Sequence, residues 1–162
     1  MKQKNNMSVC IFPGKFQPFH NGHLMVVKGM VKMCDRLVIV VCCGNQEGLF
    51  NTEEVREMLS GALLDEDLLD AEIHVLNDCP HDSEWVDRLK EFGDGQEIQV
   101  WSGREDVLVS CDTNGVKTKK IVHVPGHDGE EIAHMIKNGE SGWESKVPSS
   151  VANVIRAKNR VQ

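Results

Sequence analysis

Short apolar runs alternate along this chain with stretches whose apolar residues recur every three to four positions. The first pattern predicts strands and the second predicts amphipathic helices. Residues 8–12 read as a short buried strand, stopped by Pro13-Gly14. Residues 21–34 read as a helix with Leu24, Val27, Val31 and Cys34 on one face. The run 36–43 is apolar at nearly every position, as in a strand covered on both sides. A loop follows over 44–51, then a helix over 52–64 with Thr52 as its cap and acids in its first turn. Further strands are predicted at 72–76, 98–101 and 120–124. The helices between and after them fall at 83–92 (capped by Ser83), 105–111, 129–137 and 148–158. Such regular alternation predicts an α/β fold, a parallel sheet with helices on both faces. A sheet of that kind binds its ligands at the carboxyl ends of the strands. No repeat or linker divides the chain, so residues 8–162 are expected to form a single domain behind a frayed leader, residues 1–7.

Charge narrows the function. The chain of 162 residues carries 18 Lys+Arg against 25 Asp+Glu, a formal charge of -7. That excludes a whole-surface attraction to nucleic acid or to an anionic membrane, and leaves room for a local basic pocket. No apolar run is long enough to cross a bilayer. The amino terminus is Lys/Asn-rich and lacks the apolar stretch of a secretory signal, so a cytoplasmic location is expected. Cysteines stand at 10, 34, 42, 43, 79 and 111, without C-x-x-C pairing. They are expected to be free thiols, with Cys10, Cys42 and Cys43 as small core residues. Cys79, His81, His123 and His127 can be drawn as a zinc set, but their spacing does not support one, and no metal site is predicted in the chain. Met25, Met30, Met33 and Met58 sit at helical positions and read as core filler.

The chemistry concentrates in Gly14-Lys15-Phe16-Gln17-Pro18-Phe19-His20-Asn21-Gly22-His23, between the first strand and the first helix. Unpaired backbone N–H groups and the dipole make a helix amino terminus an anion site. Lys15 adds a full charge there. His20 and His23 are three residues apart and can face the same side of the first turn. Gly22 is expected to leave room between them for a phosphate.

This segment resembles the H-x-G-H signature of the nucleotidylyltransferase superfamily. With Gln-Pro-Phe before the first histidine, it is similar to the archaeal-type nicotinamide-mononucleotide (NMN) adenylyltransferases. The resemblance implies a Rossmann-like domain and an enzyme that transfers AMP from ATP to NMN, giving NAD and pyrophosphate. It also implies Mg²⁺ with the ATP, small-molecule nucleotide partners and homo-oligomers. On this resemblance His20, His23 and Lys15 are the catalytic residues. Gly14, Phe16, Gly22, Arg56, Ser102, Gly103, Arg104 and His127 are the ATP-binding candidates, and Asp78 and Trp85 the NMN-binding ones. Lys15 stands where the branch usually has Arg, which keeps the charge and loses the bidentate fork. Arg56 reads equally as a phosphate ligand or as part of a solvated helix face paired with Glu. Trp85 would stack on the cationic pyridinium, or would simply pack its helix on the sheet. Arg104 replaces a more usual Asn or Asp, either as a phosphate ligand or as an exposed partner of Glu105 or Asp106.

The resemblance breaks at Asp128-Gly129-Glu130-Glu131-Ile132-Ala133. The family usually has Ser-Gly-Thr/Ser-x-x-Arg there, gripping the triphosphate. Carboxylates at that helix start would repel a triphosphate unless Mg²⁺ lay between. The break leaves two alternatives open: a cytidylyl- or adenylyltransferase for another phosphorylated acceptor, or a nucleotide-binding protein without turnover.

Overall fold

A computed structural model describes residues 7–44, 48–122 and 127–161. The strands are β1 (Val9–Gly14), β2 (Arg36–Cys43), β3 (Glu72–Asn77), β4 (Ile98–Ser102) and β5 (Lys117–Lys120). They form one sheet in the order β3-β2-β1-β4-β5, with every pairing parallel. The helices are α1 (Asn21–Met33), α2 (Thr52–Asp65), α3 (Asp82–Glu91), α4 (Glu105–Thr113), α5 (Gly129–Lys137) and α6 (Ser149–Val161). A 3-10 turn at Trp143–Lys146 leads into α6 and has no counterpart in the sequence reading.

The alternation of side chains along β1 and β2 makes two cores. Cys10, Phe12, Leu37, Ile39 and Val41 face a cluster completed by α1, α2 and α6. Val9, Ile11, Val38 and Val40 face the other side, against Val86 and Leu89 of α3 and Cys111 of α4. A period of two sends successive residues to opposite faces, so an unbroken apolar strand is what a sheet covered on both sides requires. The expected fold class is therefore the observed one. The strand order reverses between β1 and β4, and this switch point sets the place of the crevice.

Several expectations need correction. On α1 the buried face is Leu24, Val27 and Met30, while Val31 is exposed. Met25 and Met33 are more than half exposed and are not core, whereas Met30 and Met58 are fully buried. The cap of α2 is Asn51, not Thr52: its side chain accepts from the Glu54 amide at 2.8 Å, and Glu54 reaches back to the Asn51 amide. His81, not Ser83, precedes α3. The last strand starts at Lys117 because an edge strand pairs on one side only and tolerates the polar sequence Lys-Thr-Lys-Lys. The end of the predicted strand, with His123, lies outside the described residues, as does all of the predicted leader except Met7.

Cys10 and Cys34 are joined in a disulfide rather than free. Cys10 lies on β1 and Cys34 caps the end of α1. The return of α1 alongside β1 brings their Cα atoms to 6.0 Å, within bridging range. A separation of 24 residues gives no hint of that return. Cys42, Cys43, Cys79 and Cys111 are free.

The edge strand β3 is anchored by Arg36, whose Nη2 donates to Glu72 at 2.8 Å and whose Nη1 donates to the Phe92 carbonyl at 2.6 Å. The Arg36 hydrogen bonds hold the Glu72 carboxyl down to about 2, against a burial penalty that acts the other way. A depressed carboxyl contributes stability above its unfolded value, and that contribution is lost as pH falls through its folded value. Full linkage for this shift is about 3 kcal/mol, and screening of a group one-third exposed cuts it to about 1–2 kcal/mol. Glu72→Gln is thus expected to be less stable at pH 7 and to lose less between pH 5 and pH 2. Chemical denaturation at the three pH values reads both effects.

Candidate active site

The turn after β1 is shaped by its aromatic residues. Phe16 folds back with φ of 52°, a left-handed conformation that bulky residues rarely take. A Cβ on Gly14 would lie 2.9 Å from the Phe16 ring, so only glycine fits beneath it. The Gln17 side-chain amide pairs with Phe50 like a strand partner, donating to its carbonyl and accepting from its amide, both at 2.9 Å. The Gln17-Pro18 bond is cis. Phe19 is fully buried behind the turn.

The two histidines cap α1 reciprocally. The Gly22 amide donates to His20 Nδ1 at 3.0 Å, and the His20 amide donates to His23 Nδ1 at 3.1 Å. A nitrogen that accepts from an amide carries no proton, so the ring proton is on Nε2 in both. The spacing of three residues is thus the geometry of a capping box that also fixes both tautomers. The rings stack with centroids 3.6 Å apart. His23 is wedged against Phe16 (5.0 Å, edge-on) and Phe19 (5.6 Å, stacked). Burial, and then the neighbouring His20, hold the His23 imidazole well below its ordinary value. His23 is therefore neutral at pH 7, a hydrogen-bond donor rather than a charge.

Gly22 is closely packed on the side where a Cβ would point. A Cβ there would lie 2.8 Å from both the His20 ring and the His127 Cβ. Gly22 thus lets His127, just before α5, pack close to α1, and a side chain at this position would collide with the His20 ring. Gly129 opens α5 against the His20 ring, 3.5 Å from where its Cβ would stand. Asp128 caps α5 by accepting from the Glu130 amide at 2.9 Å.

These groups line a cavity of about 990 Å³. Gly14, Lys15, Phe16, His20, Gly22 and His23 come from the β1–α1 segment, and Cys42 and Cys43 from the end of β2. Ser102, Gly103 and Arg104 follow β4. Asp78, Asp82 and Trp85 form one wall, and His127, Asp128, Glu130 and Ala133 another. The cavity thus opens where the strand order reverses. Arg56 alone among the expected site residues is not brought there. It lies exposed on α2, paired with Glu53 at 3.3 Å, which is the solvated-face alternative.

Sequence reasoning did not single out Asp82 and Ser110, which bond to each other at 3.1 Å and tie α3 to α4 at the cavity wall. Nor did it place the thiols of Cys42 and Cys43 there, which line the cavity beside that of Cys79. Burial pushes the Cys42 thiol up to about 11, despite the opposing effects of a Gly14 backbone hydrogen bond, Lys15 and Arg104. It stays protonated and is no nucleophile. His127 Nδ1 is buried without a hydrogen-bond partner among the described residues, an acceptor or donor left for something else in the cavity.

The sequence profile of the cytidylyltransferase-like family matches residues 11–137. The chain belongs to the cytidylyltransferase-like family. The family match thus begins within β1 and ends with α5, the elements that build the cavity. Over 158 residues the chain is 32% identical to a nicotinamide-nucleotide adenylyltransferase of Ignicoccus hospitalis, covering 91% of this chain and 90% of that one. It is 26% identical over 163 residues to the protein of the same description from Pyrobaculum neutrophilum, covering 93% and 89%. A solved structure with the same fold is a bifunctional NMN adenylyltransferase/ADP ribose pyrophosphatase from Francisella tularensis, complexed with AMP and a manganese ion. The TM-score is 0.72 at 16% identity, and the match spans 96% of this chain but only 54% of that one. Among the described residues no helix is long and apolar enough to cross a membrane.

Proposed function

We propose that this protein transfers AMP from ATP to nicotinamide mononucleotide, giving NAD and pyrophosphate. The observation that carries the reading is the pair of tautomer-fixed imidazoles at the start of α1, on the same cavity as the Asp78–Trp85 wall. A phosphate oxygen of NMN attacks the α-phosphorus of ATP. The new P–O bond forms as the bond to the β-phosphate oxygen breaks, and pyrophosphate leaves with that electron pair. The transfer is direct, and catalysis consists of positioning and charge stabilisation.

His20, His23 and Lys15 hold the triphosphate, with the amino terminus of α1 and the backbone at Gly14 and Ser102 beside them. The neutral His23 stabilises developing charge as a donor at Nε2. His127 supplies its buried ring nitrogen to the donor nucleotide. Trp85 stacks on the pyridinium and Asp78 holds the carboxamide or ribose. Mg²⁺ bound with the triphosphate would neutralise part of its charge. Asp128 and Glu130 on the cavity lining would offer it carboxylates. Mg²⁺ held mainly by phosphates needs one or two carboxylates from the protein. Such a reaction fits a cytoplasmic enzyme whose residues 8–162 work as one unit.

Incubation with Mg²⁺, ATP and NMN, followed for NAD and pyrophosphate, tests the reading. Turnover with CTP in place of ATP, or nucleotide binding without pyrophosphate release, would count against it. Trp85→Ala is expected to raise KM for NMN by about tenfold, given a cation–π contact of about 1–2 kcal/mol, with KM for ATP nearly unchanged. Equal effects on both would make Trp85 a packing residue.

A further inference from the structure

We propose that Arg104 binds the phosphate of the acceptor nucleotide, the attacking group itself, with Asp106 as the positioning residue that aims it. The inference rests on the reading above and adds what that reading leaves out. A phosphorylated acceptor brings a second anion toward a triphosphate, and nothing assigned so far neutralises it. Asp78 and Asp82 on the acceptor wall carry the wrong sign. Lys15 and the α1 terminus face the donor. The α5 terminus disfavours anions, because the Asp128 carboxylate accepts from the Glu130 amide there and Glu130 and Glu131 follow.

Lys15 and Arg104 are the lysine and arginine among the described residues of the cavity lining, and with Lys15 assigned to the donor the acceptor is left to Arg104. It stands at the carboxyl end of β4, at the switch point, preceding α4. The Arg104 amide donates to the buried Ser102 hydroxyl at 3.1 Å, which fixes the backbone from which the side chain springs. Its Nε and Nη2 donate to the two carboxylate oxygens of Asp106 at 3.1 and 2.8 Å. A guanidinium has five N–H donors. Asp106 uses two, orients the plane, and leaves the remaining edge to meet a phosphate bidentately. The side chain is 64% exposed, so its ion pair with Asp106 adds little stability and the arginine can engage a ligand at small cost.

Binding of NMN, nicotinamide riboside and ATP to the wild type and to Arg104→Ala, by calorimetry, tests the assignment without requiring turnover. Losing a bidentate, charge-assisted contact is expected to weaken NMN by about 10- to 100-fold. The riboside, which lacks the phosphate, and ATP should each change less than about threefold. Arg104→Lys should recover part of the NMN affinity, and Asp106→Asn should weaken NMN by a few-fold. In steady state the same pattern appears as a raised KM for NMN beside an unaltered KM for ATP. Equal weakening of NMN and riboside, weakening of ATP alone, or unchanged NMN binding would each overturn the assignment. A wild type that makes no NAD, yet binds NMN through Arg104, would end the reading above and leave this inference standing. A wild type that does not bind NMN would end both.

Discussion

Replacing His20 by Ala is expected to lower NAD formation by about 10²–10³-fold, the cost of removing one preorganised donor from a developing oxyanion. The loss should fall mainly on kcat, because charge accumulates on the phosphate oxygens in the transition state more than in bound ATP. His20 also caps α1, so the variant should lose about 1 kcal/mol of stability as well. His20→Asn separates the two effects. Asparagine is a good cap and should restore much of the melting temperature, but its shorter amide does not reach where the imidazole Nε2 does, so the rate should stay low. An Asn variant with near-wild-type kcat would show that His20 serves the helix alone. His23 should obey the same kinetics. Its functional proton sits on a neutral ring, so no fall in rate is expected from His23 as pH rises from 6 to 8.

The fold was legible because β2 is apolar at every position after Arg36 and because each helix carries its own period; those patterns report burial directly. The place of the cavity followed from parallel topology. What stayed hidden depends on distances through space. Cys10 and Cys34 look like two isolated core thiols until α1 turns back along β1. The closeness of His127 to Gly22 shows only once the chain before α5 is packed on α1. Arg56 stands among acids in the sequence and remains among them in the fold, since α2 turns that face to solvent. The H-x-G-H spacing was visible, but its reason was not. The i, i+3 interval is a reciprocal cap, and the cap chooses the tautomer that can donate.

Phe19→Ala is the substitution expected to damage both the fold and the site. Phe19 is wholly buried, with its ring stacked on His23 and edge-on to Phe16 at 5.8 Å. Deleting a buried aromatic costs about 3–5 kcal/mol, which for a domain of this size lowers Tm by about 6–20 °C. The same cavity removes the surface that keeps the His23 ring upright against His20. Phe19→Leu fills most of that volume and should cost about 1–2 kcal/mol, leaving the protein folded at assay temperature. A leucine has no flat face to hold an imidazole, so kcat is expected to fall by about tenfold although stability is largely kept. Thermal unfolding and kcat measured well below Tm, for both variants, separate packing from positioning. If kcat of Phe19→Leu equals that of the wild type, the capping bonds alone orient His23 and the aromatic stack is only ballast for the core.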